Sequence, residues 1–265
     1  MTLLYIVLAT LAGGILSLLV AGLLIAGLPQ RWLPRLVGFA TGVLMAVALL
    51  DVLPHAFESG EDPHALFMTL LIGLLAFYGL ERVALWRHAH VGEEGHDHHC
   101  PSHVHSHSHS HQEGVGRHTV ISVLVGDGFH NLVDGVLIAA AFLTDPALGW
   151  ITAIAVIAHE IPQEAGDFAV LRAAGLSTRR ALLFNGASSL ASIFGGVLGY
   201  FALAAAESWL PFILTIAASS FLYISISDLL PMLRREPHRH TSMWQTGAML
   251  AGIALIALGS LTHSH

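Results

Sequence analysis

Residues 119–143 read TVISVLVGDGFHNLVDGVLIAAAFL, and residues 147–171 read ALGWITAIAVIAHEIPQEAGDFAVL. Both stretches exceed the ~20 mostly apolar residues that a helix needs to cross the hydrocarbon core of a membrane. Each nevertheless carries histidine and carboxylate side chains near its middle. Such groups are rare and costly at that depth, and they mark functional sites where they occur. The two stretches therefore predict neighbouring membrane helices that share a polar site.

The composition of the whole chain agrees with a membrane protein. Apolar residues make up 54% of the 265 residues and charged residues only 11%, well under the ~25% typical of soluble chains. The mean hydropathy of +0.68 indicates the same. Soluble enzymes, nucleic-acid-binding proteins and disordered chains are excluded on this basis. The 19 histidines, against 11 basic and 18 acidic residues, indicate a metal ion or a proton as the functional partner.

Eight apolar runs are long enough to span a membrane, and they predict an all-α integral membrane protein with a single transmembrane domain over residues 1–265. The runs are 3–28, 33–57, 65–86, 119–143, 147–171, 180–205, 210–233 and 243–262. The first run is too long for a signal peptide and follows no basic segment, so we expect it to remain as a span. The single cysteine, Cys100, excludes a disulfide framework.

The basic residues predict the orientation of the helices. All 11 are arginines, and they lie in the four loops that share one side when eight spans alternate. The other loops carry acidic residues and no arginine. Because arginine-rich loops stay in the cytoplasm, we expect both termini outside and the long loop between the third and fourth spans inside. The short, alanine- and glycine-rich sequence favours a bacterial inner membrane.

A repeated motif indicates internal symmetry. Asp51-Val52-Leu53-Pro54 ends the second span, and Asp228-Leu229-Leu230-Pro231 ends the seventh. With alternating spans these segments lie at opposite membrane faces, as in transporters built from inverted repeats. We therefore predict a 3+2+3 arrangement, in which helices 1–3 and 6–8 form an inverted repeat around helices 4 and 5. A chance match between leucine-rich segments is the alternative.

The polar side chains of the fourth and fifth spans fall on shared helix faces. In the fourth span the residues at i, i+3, i+4 and i+7 are Asp127, His130, Asn131 and Asp134. In the fifth span His159 stacks with Gln163 and Glu160 with Glu164, and Asp167 follows one turn later. Each charged group at this depth costs roughly 2.5–3.5 kcal/mol, and neither span contains a lysine or an arginine. A cation reconciles the facing carboxylates, and imidazole with carboxylate is a ligand set of zinc, iron or manganese. A proton relay or a polar packing network is the alternative.

Proline and glycine are expected to shape this pair of spans. Pro162 lacks an N–H and crowds the carbonyl of Ala158, which predicts a kink at the polar cluster. An ion or water in a cavity would satisfy the freed carbonyl, whereas a kink that serves packing alone is the other interpretation. Gly135 and Gly166 are expected to let the fourth and fifth spans approach each other closely.

The two polar motifs resemble those of the ZIP family of divalent metal transporters. They are His-Asn-x-x-Asp-Gly at residues 130–135 and His-Glu-x-Pro-x-Glu-x-Gly-Asp at residues 159–167. The similarity extends over nearly the whole chain, through eight spans, outward termini and a histidine-rich third loop. The resemblance implies transport rather than catalysis, with a two-metal site between the fourth and fifth helices.

The resemblance also implies individual ligands. His130, Asp134, His159 and Gln163 match one metal position, and Asn131, Asp134 and Glu160 match the second, with Asp134 bridging. Gln163 departs from the family, whose most similar branch usually has His here and whose other branches have Glu, so Glu164 is a further candidate ligand. Residues 188–192, Ser-Ser-Leu-Ala-Ser, offer only hydroxyls where some relatives supply a glutamate to the second metal.

The loop at residues 88–118 holds 11 of the 19 histidines. Its polar composition predicts disorder. Dense neutral imidazoles bind Zn²⁺-like ions in interchangeable geometries, so we predict cytoplasmic metal capture, with a neutral linker or an expression tag as the alternative. The histidines expected to capture metal are His96, His98, His99, His103, His105, His107, His109 and His111.

Together these features predict transport of Zn²⁺, or of Fe²⁺, Mn²⁺ or Cd²⁺, into the cytoplasm. The expected pathway groups, which helix packing or solvation could also explain, are Asp51, Asp127, Asp167 and Asp228. A proton-coupled metal exporter of another family is one alternative. An intramembrane metalloprotease is another, because His159-Glu160 begins like the His-Glu-x-x-His zinc motif. The predicted partners are divalent metal ions and the lipid bilayer, not nucleic acid, and the sequence is compatible with a homodimer.

Overall fold

A computed structural model describes residues 1–26, 32–93, 110–234 and 239–263 of the chain. Within these ranges almost every residue is helical and no strand occurs, so the fold is all-α as predicted. The α-helices are α1 (Thr2–Ala26), α2 (Leu33–Ala46), α3 (Leu53–Glu58), α4 (Pro63–Glu93), α5 (Ser110–Thr144), α6 (Pro146–Ala173), α7 (Thr178–Ser188), α8 (Leu190–Ala204), α9 (Leu210–Tyr223), α10 (Leu230–Arg234) and α11 (Arg239–His263). Two π-helices, Val47–Val52 and Ile224–Leu229, join α2 to α3 and α9 to α10, and a 3-10 turn, Glu207–Trp209, precedes α9.

These elements correspond to the eight predicted spans. The second span is α2 with α3, the sixth is α7 with α8, the seventh is α9 with α10, and each remaining span is one helix. In the described residues, seven of the spans are long and apolar enough to cross a membrane by length and composition. The fifth, α6, is not among the seven, and its second half carries the polar residues His159, Glu160, Gln163, Glu164 and Asp167. The chain is therefore an all-α integral membrane protein, and the span that falls outside the seven is one of the two predicted to bind metal.

Both copies of the Asp-x-Leu-Pro motif lie at a π-helix. In each, the leucine before the proline donates its N–H to the carbonyl five residues earlier, Leu53 to Ala48 and Leu230 to Ser225. A proline cannot donate to the carbonyl four residues before it and crowds that carbonyl, and the wider π turn accommodates the defect. The shared local geometry supports a common origin of the two segments.

The packing of the helices has the exchange symmetry that an inverted repeat requires. The helix α5 packs on α8 as α6 packs on α1, and α2 packs on α11 as α9 packs on α4. Exchanging spans 1–3 with spans 6–8, and the fourth span with the fifth, converts each of these contacts into its counterpart. This pairing supports the 3+2+3 arrangement, which stays a prediction.

Close backbone approach involves α5 and α8 rather than α5 and α6. A Cβ atom at Gly135 would overlap the Ser192 carbonyl oxygen and lie 2.6 Å from the Gly196 nitrogen, whereas at Gly166 it would meet no described atom within 4 Å. The expectation that these glycines bring the fourth and fifth spans together is therefore wrong. Gly135 follows Asp134 by one residue, which turns it about 100° around the helix and toward another neighbour.

The ends of two helices reach into the segment that was predicted to be a disordered loop. The helix α4 continues to Glu93, and α5 begins at Ser110, while residues 94–109 lie outside the described residues. The start of α6 is set by Asp145, whose Oδ1 accepts the N–H groups of Ala147 and Leu148 at 2.8 and 3.0 Å. The helix then runs through Pro162 to Ala173, and the kink stays a prediction.

Candidate metal centre

Four side chains from α5 and α6 bring their ligand atoms together. The two helices pack against each other, and each supplies one histidine and one carboxylate. Their ligand atoms all lie within 4.8 Å of one another. The four residues are His130, Asp134, His159 and Glu160. All four are sequence-predicted metal ligands, and the i, i+4 spacing in α5 sets His130 and Asp134 on one face.

The separations within this group suit a tetrahedral ion. The Nε2 atoms of the two histidines are 3.1 Å apart. The Asp134 Oδ2 atom is 3.4 Å from His130 Nε2 and 3.1 Å from His159 Nε2. The Glu160 Oε1 atom is 3.6 and 3.9 Å from the same two nitrogens. A tetrahedral Zn²⁺ with ligands at ~2.0–2.1 Å separates its ligand atoms by about 3.3 Å, which lies within this range of distances.

The carboxylates of the group are buried without hydrogen-bond donors. Asp134 is 1% exposed and Glu160 is 4% exposed. Among the described residues, neither oxygen of Asp134 nor Oε1 of Glu160 has a hydrogen-bond partner. Buried polar groups are nearly always paired, and a buried charge without a partner is very costly. A cation is the partner that suits both carboxylates.

The orientation of His159 leaves one ring nitrogen for a metal. Its Nδ1 atom lies 3.0 Å from the Ala155 carbonyl oxygen, an acceptor that requires the proton on Nδ1. The lone pair of Nε2 then faces the group, as in metal-binding histidines whose other nitrogen is hydrogen-bonded. The ring also contacts Phe221, with centroids 6.3 Å apart. This histidine is therefore held in a tautomer that suits metal binding.

Both predicted amide ligands contact Asp127. The Nδ2 atom of Asn131 donates to Asp127 Oδ1 at 2.9 Å and to the Asp127 carbonyl oxygen at 3.2 Å. The Nε2 atom of Gln163 donates to Asp127 Oδ1 at 3.3 Å. The other carboxylate oxygen, Oδ2, accepts a hydrogen bond from Ser188. Asp127, predicted as a pathway group, is thus the centre of a polar network beside the four-residue group.

Glu164 faces α7 and α8 rather than the four-residue group. Its Oε1 atom accepts a hydrogen bond of 2.8 Å from Ser189, and its carbonyl oxygen accepts one of 2.9 Å from Asn185. Asn185 was not among the residues predicted from the sequence, and the serines were predicted only as hydroxyls in place of a glutamate. A signal was present, because Asn185 and Ser188 stack at i, i+3 in an otherwise apolar span.

A small cavity adjoins the four-residue group. Its polar lining comes from Thr10, Asn131, Glu160 and Ser192. Asn131 and Glu160 are two of the three ligands expected for a second metal. The third, Asp134, does not line the cavity.

The remaining predicted pathway residues are not members of the four-residue group. Asp51 is buried in the first π-helix, and its Oδ1 atom accepts a hydrogen bond of 2.7 Å from Ser260 of α11. Asp167 is half-buried on α6. Asp228 belongs to the second π-helix, but its side chain lies outside the described part of the structure.

Seven of the eight histidines predicted to capture metal belong to residues 94–109. His96, His98, His99, His103, His105, His107 and His109 lie outside the described residues. His111 belongs to α5, and its side chain also lies outside the described part.

An all-α membrane fold with a buried group of histidines and carboxylates is typical of membrane proteins that bind metal ions. The family model described as ZIP Zinc transporter matches residues 1–259. The chain therefore belongs to the ZIP zinc transporter family, as the motifs in α5 and α6 predicted.

Three human proteins illustrate the similarity. Zinc transporter ZIP6 from Homo sapiens is 37% identical over 146 residues, which are 52% of this chain and 19% of that protein. Zinc transporter ZIP4 from Homo sapiens is 44% identical over 117 residues, 43% of this chain and 18% of that protein. Zinc transporter ZIP5 from Homo sapiens is 37% identical over 140 residues, 51% of this chain and 26% of that protein. The chain thus matches about a fifth to a quarter of the length of these curated relatives.

Proposed function

We propose that this protein transports divalent transition-metal ions, with Zn²⁺ as the principal substrate, across the membrane into the cytoplasm. The ion would bind between α5 and α6 at His130, Asp134, His159 and Glu160. The observation that carries the proposal is that one ligand atom from each of these four residues lies within 4.8 Å of the others. The buried carboxylate oxygens of Asp134 and Glu160 that lack hydrogen-bond donors add to it. Membership of the ZIP zinc transporter family, and the zinc transporters it resembles, support zinc as the substrate.

The chemistry of the ligands suits a transported ion. Two carboxylates together neutralise one divalent cation, so the loaded site carries little net charge in a medium that penalises charge. Imidazole nitrogens favour zinc, iron, manganese or cadmium over magnesium and calcium, which prefer oxygen ligands. The ligands come from two helices, so a small relative movement of α5 and α6 would weaken the site and release the ion. Fe²⁺, Mn²⁺ and Cd²⁺ are accordingly secondary candidates.

A second metal position forms part of the proposal. Asn131, Asp134 and Glu160 would bind this ion, so that Asp134 and Glu160 would belong to both positions. The cavity lined by Asn131 and Glu160 supports a second ion position next to the first. Gln163 and Glu164 complete the proposed set, although Glu164 would have to leave Ser189 to reach an ion.

The route and orientation are proposed from the charge distribution. An ion would enter near Asp51, bind between α5 and α6, and leave past Asp127, Asp167 and Asp228. The arginine-rich loops would face the cytoplasm, with both termini outside. The histidine-rich segment would then capture the delivered metal. A bacterial inner membrane and a homodimer are the proposed setting and assembly.

Uptake into proteoliposomes tests the proposal. The purified protein is reconstituted around a fluorescent zinc indicator, and zinc is added outside. Uptake should fall to the level of protein-free vesicles in His130→Ala and His159→Ala, because each removes a nitrogen ligand. The matched control is His64→Ala, an exposed histidine at the start of α4, which should transport normally. Normal uptake by both site variants would refute the proposal.

Two alternative functions are separated by simple assays. A metal exporter of another family would move zinc in the opposite direction in oriented vesicles. A metalloprotease would cleave peptides, but its motif needs a histidine at position 163. Here Gln163 binds Asp127 instead, and family membership favours transport.

A further inference from the structure

Asp127 receives hydrogen bonds from three helices although it lies outside the four-residue group. Its donors are Asn131 of α5, Gln163 of α6 and Ser188 of α7. The residue is 5% exposed, and both carboxylate oxygens accept from protein donors. Because the carboxylate is already bound by protein donors, the structure gives it a supporting role next to the metal ligands.

The carboxylate fixes the orientation of both amides. An ionised carboxylate only accepts hydrogen bonds, so the amide nitrogens of Asn131 and Gln163 must face Asp127. Both N–H groups of Asn131 are used there, one on Oδ1 and one on the carbonyl oxygen. A reversed amide would bring its carbonyl against the carboxylate and leave buried N–H groups without acceptors. The carbonyl oxygens of the two amides therefore point away from Asp127.

We infer that Asp127 is a positioning residue that presents the side-chain oxygens of Asn131 and Gln163 to the metal substrate. The inference rests on the proposed function and deepens it. Amide side chains bind metals through oxygen, and their nitrogen cannot replace it. Asn131 lines the cavity together with Glu160, where an oxygen ligand would complement the group of histidines and carboxylates. Asp127 thus sets how many oxygen ligands the ion receives, and so its selectivity between metals.

Ser188 connects this arrangement to the sixth span. Its hydroxyl donates to Oδ2, whereas both amides bind Oδ1. Removing the hydroxyl leaves the amides their acceptor. Ser188→Ala should therefore change zinc affinity much less than a change of Asp127 itself.

Zinc binding to the purified full-length protein tests the inference. The 11 histidines of residues 88–118 are first replaced by serine, so that they do not compete for zinc, and the protein is titrated against a chromophoric chelator. Asp127→Asn introduces an N–H that allows the amides to reverse, and zinc affinity should fall about 10- to 100-fold, as for other residues that orient metal ligands. The matched control is Asp145→Asn, because asparagine also caps a helix, and its zinc affinity should match that of the parent.

A double-mutant cycle separates positioning from direct binding. In an Asn131→Ala, Gln163→Ala background, Asp127→Asn should cause no further loss of affinity, because the amides through which it acts are gone. The Co²⁺ complexes of Asp127→Asn and of the double variant should show the same change in visible absorption, which reports ligand number. An equal loss in both backgrounds would mean that Asp127 binds the ion itself, and the inference would be overturned. Should Asp127→Asn not fold, Asp127→Ser enters the same cycle and is judged by the same outcomes.

His130→Ala distinguishes failure of the inference from failure of the proposed function. If this variant still binds zinc at the membrane site with parental affinity, the proposed site is wrong. If it abolishes binding while Asp127→Asn leaves affinity unchanged, only the positioning role is refuted.

Discussion

Replacing Gly135 by alanine should separate α5 from α8 and disturb the metal site. A Cβ atom at this position would overlap the Ser192 carbonyl oxygen, and it would lie 2.6 Å from the Gly196 nitrogen and 2.9 Å from the Ser192 carbonyl carbon. The neighbours are backbone atoms, which cannot rotate away as a flexible side chain can. Since carbon atoms at optimal contact are ~3.5–4.0 Å apart, the two helices must move apart by at least about 0.6–1.1 Å.

The magnitude follows from comparison with Gly128→Ala in the same helix. At Gly128 a Cβ atom would meet nothing within 4 Å among the described residues. Alanine stabilises a helix by about 1 kcal/mol relative to glycine, and this gain is common to both variants. The difference between them therefore measures the overlap, which costs about 1–3 kcal/mol in packed interiors. At about 2–4 °C per kcal/mol, Gly135→Ala should melt roughly 2–12 °C below Gly128→Ala.

The substitution should affect zinc uptake more strongly than it affects the melting temperature. Asp134 precedes Gly135, and functional metal sites hold their ligand distances within about 0.2 Å. A helix shift several times larger should abolish zinc uptake in Gly135→Ala while Gly128→Ala transports normally. Thermal unfolding in detergent and uptake into proteoliposomes measure the two effects. Equal melting temperatures and equal uptake for the two variants would show that the α5–α8 contact does not constrain the site.

Three further changes test other contacts. Asp134→Asn should raise the melting temperature of the metal-free protein, because a buried carboxylate without donors is removed. It should also abolish stabilisation by zinc, which for the parent is about 2.7 kcal/mol at 100 times the dissociation constant. Zinc stabilisation equal to the parent's would refute the role of Asp134. Ser189→Ala should destabilise the fold by about 1–3 kcal/mol, because Glu164 loses its donor. Thermal unfolding measures the effect against Ser242→Ala, a control at an exposed site, and equal melting temperatures of the two variants would contradict the prediction. Asp145→Ala should destabilise α6 by about 0.5–2 kcal/mol, whereas Asp145→Asn should retain the cap, so identical losses in both would point to another role.

The sequence predicted the helices and the members of the four-residue group because both depend on local regularities. A run of apolar residues long enough to cross a membrane is visible without any tertiary information, and the eight predicted spans correspond to the helical segments of the described residues. The i, i+4 spacing of His130 and Asp134 fixes a shared helix face in the same way. The pairing of α5 with α6 completes the group, and this pairing was predicted from the polar side chains near the middle of both spans and from the resemblance of their motifs to a family with a shared site.

Contacts between distant helices could not be predicted from such regularities. The role of Gly135 depends on which helix lies beside it, and sequence spacing does not identify α8 as that neighbour. The hydrogen bonds of Asp127 with Gln163 and Ser188 join three helices. Helical periodicity relates residues of one helix only, so it does not predict these contacts. Serine and asparagine in an apolar span indicate a polar contact, but only the packing of α7 against α5 and α6 identifies the partner as Asp127 or Glu164.

Hydrogen-bond donors divide the buried carboxylates of α5 and α6 into two pairs. Asp127 accepts at both oxygens and Glu164 at one, from amides and hydroxyls of neighbouring helices. Asp134 accepts at neither, and Glu160 Oε1 also has no donor in the described residues. Donors are therefore available in these apolar helices, and they lie beside the first pair of carboxylates but not the second. Since buried carboxylates without donors are unfavourable, a divalent metal ion that binds these two carboxylates together with the neighbouring imidazoles is the partner that we propose.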